Sequence, residues 1–132
     1  KRLILQYRSH TKRIYPRYWD TSVGGHVTQG ETLPLATRRE MQEELRIHTQ
    51  PNYLGWIDFH DREKNYVHDE RVHYHWTLLP KGCRIKPNTE FDRIAHVPLE
   101  QVSLFLEKNP TTPMLGAGWK KFGEMIQRRA GA

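Results

Sequence analysis

The segment from Thr32 to about Arg46 places the strongest constraint on the fold, because it is predicted to be a helix that separates strand-like stretches of sequence. Thr32 is a candidate N-cap, and Pro34 falls in the first turn, where a proline is tolerated. Apolar residues then recur with helical spacing up to Leu45. One strong helix among strands predicts an α/β domain.

The rest of the chain supplies the strands and two more helices. Runs rich in aromatic and β-branched residues predict strands at residues 3–8, 21–27, 53–60 and 71–79, with a short strand or bend at 91–97. A basic stretch without a helical or alternating period predicts a long loop at residues 9–20, and a second charged stretch predicts a hairpin or loop at residues 61–70. Helices are predicted from Pro98 to a stop before Pro110, and over residues 113–129. Because this order is not a regular alternation and no dinucleotide-binding glycine motif occurs, we predict a mixed sheet packed between helices.

Length, charge and cysteine content limit the class of protein. The 132 residues correspond to one domain, and the formal net charge of +6 favours an anionic partner. The basic residues are dispersed, which favours a phosphate-bearing small molecule and leaves nucleic acid as an unfavoured partner. Cys83 is the only cysteine, so a reducing, cytoplasmic location is expected. The sequence has no apolar run of the length that a membrane span requires.

The chain opens on the apolar, β-favouring residues 3–8 and does not begin with Met. Such a run needs a partner on at least one side, so we expect an internal strand there. We also expect an N-terminal segment with one or more strands upstream of residue 1.

Glutamates on the predicted helix carry the chemistry. Residues three and four apart share a helix face, so Glu40, Glu43 and Glu44 converge, and Glu31 approaches from the preceding loop. Clustered carboxylates repel one another, and the hard cations Mg²⁺ and Mn²⁺ prefer such oxygen ligands. The pattern therefore predicts a divalent-metal site suited to hydrolysis at phosphorus.

The spacing of these residues resembles a known motif. The pattern G-x5-E-x7-R-E-U-x-E-E-x-G-U, in which U is apolar, is the Nudix box, and residues 25–47 meet eight of its nine defined positions. The exception is Arg46, where the family has Gly, and this substitution concerns the end of the helix rather than the metal ligands.

The resemblance implies a Nudix-type α/β/α sandwich and a set of site residues. It implies that Glu40, Glu43 and Glu44 hold Mg²⁺ or Mn²⁺, and that one of them also acts as base. Glu31 and Arg39 would brace the loop and helix by ion pairing, and the backbone carbonyl of Gly24 would be a further metal ligand.

A weaker resemblance covers residues 8–26, which are similar to the Nudix subgroup related to isopentenyl diphosphate isomerase. In that subgroup the basic loop lies beside a diphosphate, and a catalytic Cys stands where this chain has Gly24. The predicted substrate-binding residues are Arg8, Lys12, Arg17, His26 and Glu90.

The sequence thus predicts a metal-dependent hydrolase of a diphosphate linkage in a nucleoside diphosphate derivative or nucleotide. Two alternatives stay open: a non-catalytic nucleotide- or RNA-binding module, and a prenyl diphosphate isomerase, which Gly24 disfavours. A homodimer and a second metal site at His68, His73 and His75 are weaker hypotheses.

Overall fold

The structure is a computed structural model that describes residues 1–21, 33–46, 50–63 and 66–130. The strands are β1 (Arg2–Arg8), β2 (Trp19–Asp20), β3 (Asn52–Glu63), β4 (Tyr66–Trp76) and β5 (Phe91–Pro98). The helices are α1 (Leu33–Leu45), α2 (Val102–Lys108) and α3 (Pro113–Ala130), and a 3₁₀ turn, Leu99–Gln101, precedes α2.

Strand β1 is the middle strand of a three-stranded sheet with the order β2-β1-β5. It pairs antiparallel with β5 from Arg2↔Pro98 to Arg8↔Phe91 and with β2 through Gln6↔Asp20 and Tyr7↔Trp19. The prediction of an internal strand at the start of the chain is therefore confirmed. Leu5, which is 1% exposed, anchors this strand in the main apolar core with Trp19, Val97, Val102 and Leu115.

The second sheet is the hairpin of β3 and β4, which are paired from Asn52↔Trp76 to Glu63↔Tyr66 with a register shift between Tyr53 and Gly55. The predicted charged hairpin or loop over residues 61–70 is a hairpin, because β3 and β4 both run into this stretch and stay paired up to Glu63↔Tyr66. His60 and Arg62 both contact Asp69 across the strands there, so the charged residues are accommodated on an exposed strand surface. The strand predicted to reach Leu79 ends at Trp76.

Helix α1 lies where it was predicted. The conformation of Arg46, directly after the helix, explains how an arginine is tolerated where the Nudix box has glycine. Arg46 has a φ of 54°, the left-handed conformation that the family's Gly adopts without strain, and its N–H donates to the carbonyl of Gln42 over 3.0 Å. The helix therefore closes with an arginine in a glycine-like conformation.

The C-terminal helices lie where they were predicted. Pro98 is both the last residue of β5, paired with Arg2, and the N-cap of the 3₁₀ turn Leu99–Gln101, which continues directly into α2. Helix α3 follows the predicted range closely. The predicted strand at residues 21–27 lies outside the described residues except for Thr21. None of the described helices is long and apolar enough to cross a membrane.

The described strand pairs are all antiparallel, and a single bridge between Trp19 and Thr111 is parallel. A second apolar cluster links α1 to the rest of the fold through Met41 and Phe91, which are 3% and 0% exposed. This contact fixes the position of the glutamate-bearing helix against β5.

Candidate functional site

Arg39 organises the carboxylates of α1 whose side chains the structure describes. Its Nη2 donates to Glu40 Oε1 over 3.2 Å and its Nη1 to Glu43 Oε2 over 3.1 Å. Glu40 is largely buried at 14% side-chain exposure, whereas Glu43 is 59% exposed. One guanidinium thus holds two of the predicted metal ligands on one side of the helix and offsets their mutual repulsion.

Four other predicted site residues lie wholly or partly outside the described residues. These are Gly24 and the side chain of Glu44, both predicted to bind the metal, His26, predicted to bind substrate, and Glu31, predicted to brace the helix. The backbone of Glu44 is part of α1. Among the described residues, no group of three or more His, Cys, Asp or Glu side chains comes close enough to hold a metal ion. The metal site stays a prediction that rests on Glu40, Glu43 and the helix that carries them.

The packing of α1 brings it to the start of the basic loop, residues 9–18. Met41 packs against Phe91, which pairs with Arg8 across the sheet. The N–H of Ser9 donates to the carbonyl of Glu90 over 3.2 Å. The glutamate-bearing helix, the first loop residues and Glu90 therefore gather at one end of β1 and β5.

Arg8 holds the basic loop in shape from within. Its Nε donates to the carbonyls of Ile14 and Tyr15 over 3.1 Å, and its Nη2 donates to Ile14 over 2.8 Å. Tyr15 and Arg17 both have positive φ, 51° and 61°, a conformation that costs energy in residues with a Cβ. The Arg8 side chain, which was predicted to bind substrate, thus stabilises a strained loop in which Arg17 is exposed to solvent.

Asp20 connects this loop to α3, a role that no sequence pattern around Asp20 indicates. Its Oδ2 accepts from Arg8 Nη1 over 3.2 Å, and its Oδ1 accepts from the Thr112 hydroxyl and the Thr21 N–H, each over 2.8 Å. Asp20 is 8% exposed and Thr112 is 1% exposed, so water cannot replace these partners. Thr112 also accepts from the N–H of Leu115 and so caps α3, a role that Thr112-Pro113 signals in the sequence.

Two side-chain contacts join the basic loop to Glu90, in the turn before β5, and to Asp92, in β5. Lys12 Nζ contacts Glu90 Oε2, so two predicted substrate-binding side chains meet each other. Asp92 accepts from the His10 backbone N–H over 3.0 Å and lies 3.2 Å from its Nδ1. The hydrogen bond from the backbone N–H, followed by that from the ring, holds the pKa of Asp92 below its ordinary value.

Two of the three histidines predicted for a second metal site, His73 and His75 of β4, both contact Tyr53. Tyr53 Oη lies 2.8 Å from His73 Nδ1, and the Tyr53 and His75 rings are in contact, with centroids 5.1 Å apart. Burial, and secondarily His73, lowers the pKa of His75. The side chain of His68 lies outside the described part of the structure.

Comparison with known proteins agrees with this architecture. A family model described as the NUDIX domain matches residues 1–115. An uncharacterized Nudix hydrolase of Listeria monocytogenes is 47% identical over 45 residues, which are 34% of this chain and 27% of that protein. An isopentenyl-diphosphate Delta-isomerase of Halobacterium salinarum is 30% identical over 95 residues, 70% of this chain and 42% of that protein.

A solved MutT protein from Methanosarcina mazei Go1 superposes with a TM-score of 0.65 and 25% sequence identity, over 98% of this chain and 85% of that chain. The chain belongs to the Nudix family, and the predicted α/β fold class is confirmed. The aligned part spans about a quarter of the Listeria protein and less than half of the isomerase.

Proposed function

We propose that this protein is a divalent-metal-dependent hydrolase that cleaves a diphosphate linkage in a nucleoside diphosphate derivative or a nucleotide. The observation that carries the proposal is the Arg39–Glu40–Glu43 cluster on a helix that packs beside a basic loop. Carboxylates and cations side by side suit the binding of a phosphate through a metal ion. Membership of a family whose matched relatives include Nudix hydrolases supports the same activity.

The donor chemistry of α1 fits Mg²⁺ or Mn²⁺, because carboxylate oxygens are the ligands these ions prefer. Glu40, Glu43 and Glu44, with the carbonyl of Gly24, would hold the metal. When bound, such a cation neutralises charge that builds on a phosphate oxygen and lowers the pKa of water. Arg39 orients Glu40 and Glu43, and one of the glutamates accepts the proton of the attacking water.

The basic loop would bind the phosphates on the side away from the metal. Lys12 and Arg17 supply the positive charge, with His26 as a further substrate contact. Glu90, predicted from the sequence to bind substrate, would act through Lys12, with which it forms an ion pair. Arg8 serves this step by fixing the loop, since its guanidinium donates to the loop carbonyls and to Asp20. A cytoplasmic location and a homodimer stay predictions.

Glu40→Gln tests the proposal most directly, since Gln keeps the size and helix propensity of Glu and removes only the charge. With a panel of nucleoside triphosphates, nucleoside diphosphate sugars, dinucleoside polyphosphates and capped RNA, we expect kcat to fall by about 100-fold or more, roughly 3 kcal/mol of transition-state stabilisation. The rise in Tm that Mg²⁺ gives the wild type should also shrink. Glu44→Gln should behave in the same way.

Gln42→Ala is the matched control, because Gln42 is exposed and points away from the side of α1 that carries Glu40. It should leave kcat unchanged. If Glu40→Gln and Glu44→Gln both retained wild-type turnover and metal-induced stabilisation, the metal site would have to be abandoned. Conversion of prenyl diphosphate isomers without phosphate release would indicate the isomerase instead, and salt-sensitive RNA binding without any turnover would indicate the binding module.

A further inference from the structure

A cavity of about 390 Å³ lies inside the fold, bounded by residues of both sheets and of α1 and α3. Leu3 of β1 and Trp76 of β4 line it from the two sheets, and Trp119 and Ile126 line it from α3. A volume of this size falls in the range of sites that enclose small organic molecules, roughly 300–1,000 Å³. The cavity is therefore large enough for a ligand.

Among the described residues that line the cavity, most are apolar. The uncharged polar groups include the hydroxyls of Thr21, Thr37, Thr77 and Tyr74 and the indole N–H of Trp76. His75 and His96 also line the cavity, and burial lowers the pKa of His75, which favours its neutral form. Among the described lining residues, the charged ones are the exposed cations Lys1 and Arg2, so positive charge lies where the cavity meets solvent. Such a site favours a molecule with an apolar body and an anionic end.

The cavity adjoins the glutamate-bearing side of α1. Thr37 and Met41 both line it, and they lie four residues apart on one side of the helix. Glu40 lies three residues after Thr37, so its position on the helix neighbours the cavity wall. A diphosphate held near Glu40 would have the cavity beside it.

We propose that this cavity binds a hydrocarbon group, aliphatic or aromatic, that one side of the diphosphate carries in the substrate. The assignment of the diphosphate to α1 rests on the proposed function, whereas the apolar site stands on the cavity itself. A hydrocarbon suits the lining better than a nucleobase does, because most of the described lining residues are apolar and the polar edge of a base would lose its hydrogen bonds to water. Filling the cavity with an apolar group also removes apolar surface from water, which favours binding.

Calorimetric titration with decyl phosphate and with 1-naphthyl phosphate tests the site, in the absence of metal so that no turnover is involved. We expect saturable binding of at least one of them, at least tenfold tighter than that of ribose 5-phosphate, which shares the anionic end only. Binding of decyl phosphate alone would identify an aliphatic occupant, and binding of naphthyl phosphate alone an aromatic one.

Leu54→Phe should weaken binding by tenfold or more, because Leu54 lines the cavity and a larger side chain narrows it. Ile126→Phe narrows the cavity from the side of α3, and it replaces Leu54→Phe in the binding test if Leu54→Phe fails to fold. Leu104→Phe is the matched control, since Leu104 is 52% exposed on α2, which contributes no described residue to the lining. The control should change the affinity by less than twofold.

Absence of saturable binding, equal affinity for ribose 5-phosphate, or unchanged affinity in both narrowed variants would overturn the proposal. Glu40→Gln separates the two hypotheses, because it should abolish hydrolysis and leave metal-free binding of the hydrocarbon phosphate within about threefold. A protein that binds decyl phosphate but hydrolyses no diphosphate would refute the proposed function and leave the apolar site intact.

Discussion

Thr112→Val should destabilise the protein substantially, although it changes neither the size nor the shape of a buried side chain. The Thr112 hydroxyl donates to Asp20 Oδ1 over 2.8 Å and accepts from the N–H of Leu115 over 3.3 Å. Loss of an N-cap costs about 1 kcal/mol, and loss of a hydrogen bond to a charged group costs roughly 1.5–3 kcal/mol. The added apolar contact of valine offsets part of this, so we expect a net loss of about 2–3 kcal/mol.

Urea unfolding followed by circular dichroism measures this loss as a lower midpoint at an unchanged m-value. For a domain of this size the same loss should lower Tm by about 10 °C. Thr112→Ser is the matched control, because it keeps the hydroxyl and removes one methyl group, at a cost of about 1 kcal/mol. A double-mutant cycle with Asp20→Asn should show coupling of about 1 kcal/mol or more. Two results would refute the roles assigned to the hydroxyl. One is a Thr112→Val protein whose free energy of unfolding lies within about 0.5 kcal/mol of the wild-type value, which is the resolution of such measurements. The other is a Thr112→Ser protein that loses as much stability as Thr112→Val.

Three further predictions concern the metal, the basic loop and the end of α1. Activity should disappear in EDTA, return with Mg²⁺ or Mn²⁺ and stay low in Ca²⁺, whose longer and looser coordination misplaces the reacting groups; full turnover in metal-free buffer would contradict the mechanism. Lys12→Met should raise KM about tenfold, whereas Glu90→Gln should lower KM by releasing Lys12 from its ion pair, and both should change stability by less than about 1 kcal/mol because the pair is partly exposed. A rise in KM for Glu90→Gln would instead assign Glu90 itself to substrate binding. Arg46→Gly should stabilise the protein by about 1 kcal/mol, seen as a higher Tm, because Arg46 has a φ of 54°; a lower Tm would show that the arginine side chain contributes more than its backbone conformation costs.

Two predictions left a choice or a boundary that only contacts between strands decided. Residues 61–70 were predicted as a charged hairpin or a loop, and the hairpin forms because Asp69 contacts His60 and Arg62 across the two strands. Pro98 was predicted to open a helix, and it is the N-cap of the 3₁₀ turn that leads into α2, while its pairing with Arg2 also makes it the last residue of β5.

The sequence by itself determined the features that depend on local spacing. The helical period fixed α1, the alternation and apolar content fixed β1 as an internal strand, and the offsets between Arg39, Glu40 and Glu43 identified the family. These features lie within a few turns or one strand, where backbone geometry converts sequence separation directly into position.

Only the tertiary structure decided which distant side chains meet. Lys12 and Glu90 are 78 residues apart, and Asp20 and Thr112 are 92 apart, so no local period relates them. Their contacts arise because β1 pairs with both β2 and β5 and because α3 begins beside β2. The cavity has the same origin, since its walls come from two sheets and two helices whose spacing is set by packing rather than by sequence separation.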